Sequence, residues 1–398
     1  MRRITVEERR ARLGRRHHLK GPARTDDVVA IASDMVALHG TDPASVFLSA
    51  AARMRHPSVA ALERALYDER ALVRTLGMRR TMFVLPVADV PVVQAACTNA
   101  LVDGERRRTL AMLRDSGIAD AVQHLRRLEE ATAAAVEDLG EATGAELSKV
   151  VPGLSQKLHI GQGTKWEGTI GVTTRVLFLL STEQRIVRGR PKGGWTSSQY
   201  RWSPMASWLP ERRPSLGAEE ARVELARRWL RAFGPATVAD LKWWSGLTMG
   251  QVRNAVSALE VEEVDLGGVI GIVLADDLAP VRAPRPWVAL LPSLDATTMG
   301  WKQRDWYLGD HAASLFDGNG NAGPTVWCDG RVVGGWAQRR SGEVVFKLLE
   351  DVGIEVEAAI EAEAARLAAW LGEARITPRF PTPLQRELVG PPASLSRT

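Results

Sequence analysis

A histidine, a hydroxyl and a carboxylate fall within four residues at His39-Gly40-Thr41-Asp42, followed by Pro43. A neutral imidazole can take a proton near pH 7, and a carboxylate can orient water or stabilise a developing cation. The same residues have an ordinary structural use. Asp42 before Pro43 is an efficient helix start, because the carboxylate accepts first-turn N–H groups and proline fits the first helical position. His39 would then close the preceding helix, where the dipole favours its charged form. Caps outnumber active sites, so the segment alone reads first as a helix boundary.

A second group carries charge rather than proton chemistry. Arg188, Arg190 and Lys192 are followed by Trp195, Tyr200, Arg201 and Trp202, around a Pro191-Lys192-Gly193-Gly194 tip. Cations interleaved with aromatics suit a phosphate backbone and stacked bases. The alternative is a hairpin with an aromatic packing face, but three cations at a glycine-rich tip are hard to bury. Arg79 and Arg80, and further on Lys242, Gln251, Arg253 and Asn254, extend the set of candidate DNA contacts. Other motifs fall short. Asp317-Gly318-Asn319-Gly320-Asn321 begins like a calcium loop, yet its twelfth position is Cys328 instead of an acid. His311 has no partner at metal-ligand spacing, and Gly161-Gln162-Gly163 lacks the lysine of a phosphate loop. No metal or cofactor is expected.

These residues need elements to hold them. Glu219–Phe233 repeats apolar residues at helical spacing, and Gly234-Pro235 stops it. Thr237 caps a second helix through Trp244, which Gly246 closes, and Thr248 caps a third over Met249–Leu259. Val261–Leu266 and Val269–Leu274 flank Gly267-Gly268, the signature of a tight hairpin. Three helices and a hairpin make the winged-helix order, with a polar, cationic face on the third helix to meet a groove. The order recurs twice. Asp26–Leu38, Pro43–Met54 and Ser58–Tyr67 read as helices before a Leu72–Leu76/Thr81–Leu85 hairpin. Asp120–Leu139, Thr143–Val150 and Gly171–Ser181 precede a hairpin over Arg185–Trp202. Past Pro280, short strands at Trp287–Leu291, Thr325–Cys328, Arg331–Trp336 and Glu343–Leu348 precede a helix over Glu355–Leu371.

The predicted class is therefore α+β, with tandem winged-helix repeats and a β-rich C-terminal domain. The predicted boundaries are a flexible basic arm (1–24), winged-helix units over 25–104, 105–215 and 216–280, the β-rich domain with its terminal helix (281–376), and an extended tail (377–398). Bulk composition agrees with a globular chain: 398 residues, 45% hydrophobic and 25% charged, with net charge +5. Basic charge is clustered. Arg2–Lys20 holds eight cations against two glutamates, and Arg185–Arg213 holds seven against Glu211, as a polyanion partner would require. Two cysteines far apart exclude a disulfide framework. The charged N-terminus lacks a secretory core and no apolar run spans a bilayer, so a cytoplasmic, nucleoid-associated place is expected.

Several segments together resemble the winged-helix DNA glycosylases typified by AlkZ and YcaQ, a bacterial family. They are Leu66-Tyr67-Asp68-Glu69-Arg70-Ala71-Leu72-Val73-Arg74-Thr75, Met78-Arg79-Arg80-Thr81-Met82-Phe83-Val84-Leu85-Pro86 and Thr143-Gly144-Ala145-Glu146-Leu147. Arg188-Gly189-Arg190-Pro191, Trp195–Trp202, Leu290-Leu291-Pro292-Ser293-Leu294-Asp295 and Asp329–Gly334 complete the set, which runs from about residue 25 to 370. The resemblance implies metal-free hydrolysis of the N-glycosidic bond of alkylated or crosslinked purines, on damaged double-stranded DNA; a monomer is expected because tandem repeats in one chain can supply a composite DNA surface. It also implies a catalytic signature, Gln-x-Gln or Gln-x-Asp, at the end of the first helix. Here His39 and Thr41 stand at those two places, with Asp42 next. The resemblance thus raises His39, Thr41 and Asp42 as catalytic candidates. The departure keeps a second reading open, a non-catalytic DNA-binding damage sensor or regulator.

Overall fold

The computed structural model describes residues 1–161, 167–209, 216–282 and 286–390. Helices and strands are both abundant, giving an α+β fold. The chain divides into two compact units, one formed by residues 1–62 with 226–398 and the other by residues 63–225. The first boundary falls inside the segment 25–104 that was expected to be one unit.

Unit one begins with strand β1 (Arg2–Arg3) and helix α1 (Val6–Arg16). The N-terminal arm, expected to be flexible on its composition, is ordered. Thr5 caps α1, and β1 pairs in parallel with the strand Val261–Asp265. The arm's arginines are the reason. Arg12 is 1% exposed and held by Glu8 at 2.9 Å and Asp277 at 3.2 Å. Arg16 also pairs with Asp277, and Arg9 lies 4.1 Å over the Trp306 ring. Much of the charge that read as a polyanion contact thus ties the helix down.

Helix α2 (Val28–Asp34) is capped by Asp27, whose carboxylate accepts from the N–H groups of Val29 and Ala30. It ends four residues before the expected Leu38. Met35 closes it, Val36 takes a left-handed φ of 62°, and Leu38–His39 form a short strand, β2. Helix α3 (Pro43–Ala51) starts as predicted, with Asp42 as its cap and Pro43 in the first turn. Helix α4 (Val59–Glu63) closes this part of the chain.

Unit two opens with an antiparallel hairpin of β3 (Leu72–Leu76) and β4 (Met82–Pro86). Arg79 and Arg80 at its turn both take left-handed backbone angles. Helices α5 (Val90–Val93), α6 (Asn99–Asp115) and α7 (Ala121–Leu139) follow. Strand β5 (Ala142–Thr143) leads into α8 (Gly144–Val150), started by a Thr143/Glu146 capping box. A hairpin of β6 (Lys157–Ile160) and β7 (Gly168–Gly171) precedes α9 (Val172–Thr182). Strands β8 (Ile186–Pro191) and β9 (Tyr200–Pro204) pair, with β5 added to the edge. Leu113, Leu125, Leu128, Val136, Leu147 and Val176 form part of one buried core. Helix α6 and the β6–β7 hairpin were not foreseen. The Gly161-Gln162-Gly163 motif, and the end of the basic run toward Arg213, lie partly outside the described residues.

Helix α10 (Ala218–Phe233) carries the chain back into unit one. Helices α11 (Val238–Ser245) and α12 (Met249–Ser257) each begin with a capping box, and Gly246 ends α11 in the left-handed conformation. Strands β10 (Val261–Asp265) and β11 (Ile270–Leu274) form the expected hairpin, with Gly267 and Gly268 at φ 88° and 89°. Strand β1 makes it three-stranded, and Ile4, Val264 and Val273 fill a small core against it. The C-terminal sheet has the order β12 (Val288–Leu291), β13 (Thr325–Cys328), β14 (Arg331–Gln338), β15 (Val344–Leu348), all antiparallel. Short helices α13 (Asp305–Leu308) and α14 (Ala312–Leu315) lie between its first two strands in sequence. Helix α15 (Ile354–Leu371) packs on β12 and β15. The segment after Pro378, expected to be extended, contains helix α16 (Pro383–Val389). A Thr382/Gln385 capping box and Pro383 in the first turn start it, and buried Leu384 anchors it.

Candidate functional site

His39, Gly40, Thr41 and Asp42 bridge β2 and α3. His39 is not the last residue of a helix, because α2 has ended five residues earlier, so no helix dipole explains its presence. Its ring is buried at 5% exposure, and Nδ1 accepts a long, 3.5 Å hydrogen bond from the Thr41 N–H. In the neutral ring that leaves Nε2 as the donor. The Thr41 hydroxyl is buried and has no hydrogen-bond partner among the described residues. Asp42 is 7% exposed; Oδ1 accepts from the Ala44 N–H at 3.1 Å, closing the first turn of α3. The carboxylate also lines a cavity of about 20 Å³ with Ser45, Ser293, Trp336, Gln338 and Gln385. A cavity of this size has room for about one water, and Asp42, Ser45, Ser293, Gln338 and Gln385 supply the polar groups on an otherwise apolar lining. The main-chain oxygen of Thr41 accepts from Arg379 at 3.1 Å.

The helix behind this segment is fixed by a buried charged network that the sequence did not announce. Arg53 and Asp295, both fully buried, form a two-pronged ion pair at 2.8 and 2.9 Å. Ser49 of α3 donates to Asp295 at 2.6 Å, and the Thr297 N–H donates to it at 2.8 Å. Burial alone would raise the Asp295 carboxyl; the Arg53 charge and these hydrogen bonds outweigh it and hold the group below the usual range. His17 sits on the same network, 2.9 Å from the Thr297 hydroxyl. Burial, then the Arg53 charge, lower its imidazole to about 3, so it is neutral. Leu294, beside Asp295, is buried with a left-handed φ of 60°. A leucine holds that backbone only where its surroundings enforce it. The one sequence signal was the Ser293-Leu294-Asp295 run. Nothing local tied it to Arg53, 242 residues away.

The DNA-contact candidates fall into two classes. In the first, the side chain already has internal partners. Arg190 pairs with Glu63 at 3.2 Å and Asp68 at 2.9 Å, and Arg201 pairs with Glu141. Arg80 is held by Glu105 at 2.8 Å, a 4%-exposed carboxylate that also receives Arg108 and Arg175. Tyr200 is buried, with Arg74 and Arg188 over its ring at 4.9 and 5.4 Å, so it is packed rather than presented for stacking. Arg188 also covers Trp202. Gln251 is the capping partner of Thr248, accepting its N–H at 2.9 Å and its hydroxyl at 3.1 Å. In the second class are Lys192 in unit two and Lys242, Arg253 and Asn254 in unit one, all exposed. Lys192, Lys242 and Arg253 have no ion-pair partner among the described residues. Trp195 and Arg79 are half-exposed.

Among the described residues no group of histidine, cysteine and acidic side chains is arranged to hold a metal. Asp317 instead closes its own loop, accepting from the N–H groups of Asn319 and Asn321 at 2.8 Å each. No described helix is long and apolar enough to cross a membrane.

Comparison with curated proteins finds no match. Among solved structures, the DNA glycosylase AlkZ of Streptomyces sahachiroi is similar over 94% of this chain and 98% of its own, with a TM-score of 0.70 and 20% sequence identity. At that identity the likeness speaks for a shared fold. The sequence also matches the AlkZ-like DNA glycosylases over residues 32–370, which take in the His39–Asp42 segment and its supporting network. The protein belongs to the AlkZ-like DNA glycosylase family.

Proposed function

We propose that this protein is a monofunctional DNA N-glycosylase acting on alkylated or bulky, crosslinked purines in base excision repair. The observation that carries the reading is the His39–Asp42 segment. It lies just ahead of α3, where the resemblance puts the family's catalytic signature, and its carboxylate borders a cavity of one-water size. Duplex DNA is the partner that family membership supports. The α10–α11–α12–β10–β11 run has the winged-helix order, with Arg253 and Asn254 exposed on its third helix. We extend that description to the two earlier helix–hairpin runs on element order, and take the protein to act as a cytoplasmic monomer.

The chemistry asks little of the protein. A purine alkylated at N7 carries a positive charge and leaves as a neutral base when the C1′–N bond breaks. The sugar is left oxocarbenium-like, and a water oxygen adds to C1′. We assign His39, at the first position of the signature, to hold the water. Asp42 stabilises the cation and takes the proton that the water loses. Thr41 adds no base, since a hydroxyl does not ionise at neutral pH. The test is incubation of purified protein with duplexes carrying N7-methylguanine or a mustard crosslink, followed by alkali. Strand breaks at the lesion are expected.

The second reading, a non-catalytic damage sensor or regulator, is favoured by one observation: neither glutamine of the family signature is present. DNA binding without alkali-labile sites on either substrate would select it.

A further inference from the structure

Unit one contains a second, much larger cavity. It has a volume of about 750 Å³ and lies between the end of β14 and the segment 375–390, within the range of small-molecule sites. Its floor includes apolar Ile376, Pro378, Pro381 and Val389, and four arginines, Arg339, Arg340, Arg375 and Arg386, stand around it. Among the described residues, only Arg339 of these four has a carboxylate partner, Glu343 at 2.8 Å. Arg375 is pinned by four main-chain oxygens, those of Arg340, Ser341, Gly372 and Ala374, at 3.0 to 3.2 Å. Neutral acceptors orient its guanidinium and leave the charge in place. Arg340 and Arg386 are exposed and have no carboxylate partner among the described residues. Three uncompensated guanidiniums over an apolar floor match a ligand with phosphate on one side and a sugar or base on the other.

The position narrows the choice. Gln338, Ile376, Pro378 and Gln385 line both this cavity and the small one at Asp42. Gln338 is locked as a partition, donating to the Ala374 oxygen at 3.0 Å and accepting from the Ile376 N–H at 2.9 Å. Arg379, on the same segment, donates to Thr41. We infer that this arginine-rimmed cavity binds a nucleotide of the DNA strand, phosphate and sugar together, next to the one presented to His39–Asp42. The inference rests on the reading of the chain as DNA-binding.

The test uses the full chain and a short fluorescent duplex carrying a tetrahydrofuran abasic site. Arg340→Ala with Arg386→Ala should raise Kd at least about tenfold and flatten the dependence of log K on log salt by about 1, the counterion released by the one phosphate held in the cavity. Both side chains are exposed, and thermal melting verifies the fold. Independently of any variant, hydrogen exchange of the wild-type protein should show protection of 338–341 and 375–390 by this duplex and none by inorganic phosphate. Unchanged affinity and slope, absent protection, or equal protection by phosphate alone would overturn the inference while wild-type DNA binding persists. A wild-type protein that binds no DNA fails at the first measurement, and the glycosylase reading falls with it.

Discussion

Asp42 has two tasks, and a single substitution separates them. Its Oδ1 caps α3 and its carboxylate borders the small cavity. Asparagine caps a helix as well as aspartate but neither stabilises a cation nor takes a proton. Asp42→Asn should therefore leave the melting temperature within a degree or two, while single-turnover excision of N7-methylguanine falls by about 10²–10³. A large drop in melting temperature, or unchanged excision, would return Asp42 to a purely structural role. His17 gives a pH prediction of definite sign. Its folded pKa of about 3 lies below its unfolded value. Between the two, the unfolded chain binds a proton that the native state refuses. The stability this neutral histidine contributes is complete above about pH 6.5 and is lost as pH falls toward 3, by at most about 1.4 kcal/mol per unit. Urea titrations at pH 7 and pH 5 should show a lower midpoint at pH 5, and His17→Gln should shrink that difference. Equal differences in the two proteins would mean that His17 is not the sensor.

Elements were legible where their signals are local. The α10–β11 run appears nearly as read, because Thr237 with Asp240, Thr248 with Gln251, and Gly246 mark its ends within a few residues. Helix α16 carries the same kind of signal, Thr382 with Gln385, but the flanking prolines drew attention to extended chain instead. Helix α6 has no such mark. Thr98 before it is already helical and caps nothing, since the chain runs in from a π-turn over Gln94–Thr98. The candidate site was legible as a string of residue types and no further. What buries it, Arg53 on Asp295 and Arg379 on Thr41, is paired across hundreds of residues. Helix α1 offers a test of packing at this scale. A Cβ on Gly14 would lie 2.8 Å from the Trp287 indole nitrogen. Gly14→Ala gains helix propensity, about 1 kcal/mol. The clash with a buried ring costs about 1–3 kcal/mol, so a net loss is expected in equilibrium denaturation. A stabilised variant would show that α1 shifts freely away from the sheet.

For the whole molecule, the balance of cations matters more than their number. Arginine-rich stretches look like DNA contacts in the sequence, yet many of them are paired within the protein. Arg190 pairs with Glu63 and Asp68, and Arg12 with Glu8 and Asp277. Exposed Lys242 and Arg253 have no such partners among the described residues. Alanine at either should weaken DNA binding about equally for all sequences and lower the salt slope by about 1. Arg190→Ala should change the slope by less, because Glu63 and Asp68 already compensate its charge within the protein. Anisotropy titrations at several salt concentrations check both, and a larger slope change for Arg190 than for Arg253 would reverse the assignment. Much of the protein's basic composition is thus architecture.

The interrupted path of the chain has a consequence for its synthesis. Residues 1–62 emerge from the ribosome first, but the unit they belong to needs residues beyond 226. Chains grow at about 5–20 residues per second and their domains fold as units. Unit two can therefore close while the His39–Asp42 segment still waits, and Arg53 stays without its counter-charge until Asp295 is made. A chain that stops short of Asp295 would leave Arg53 without the carboxylate it is buried against.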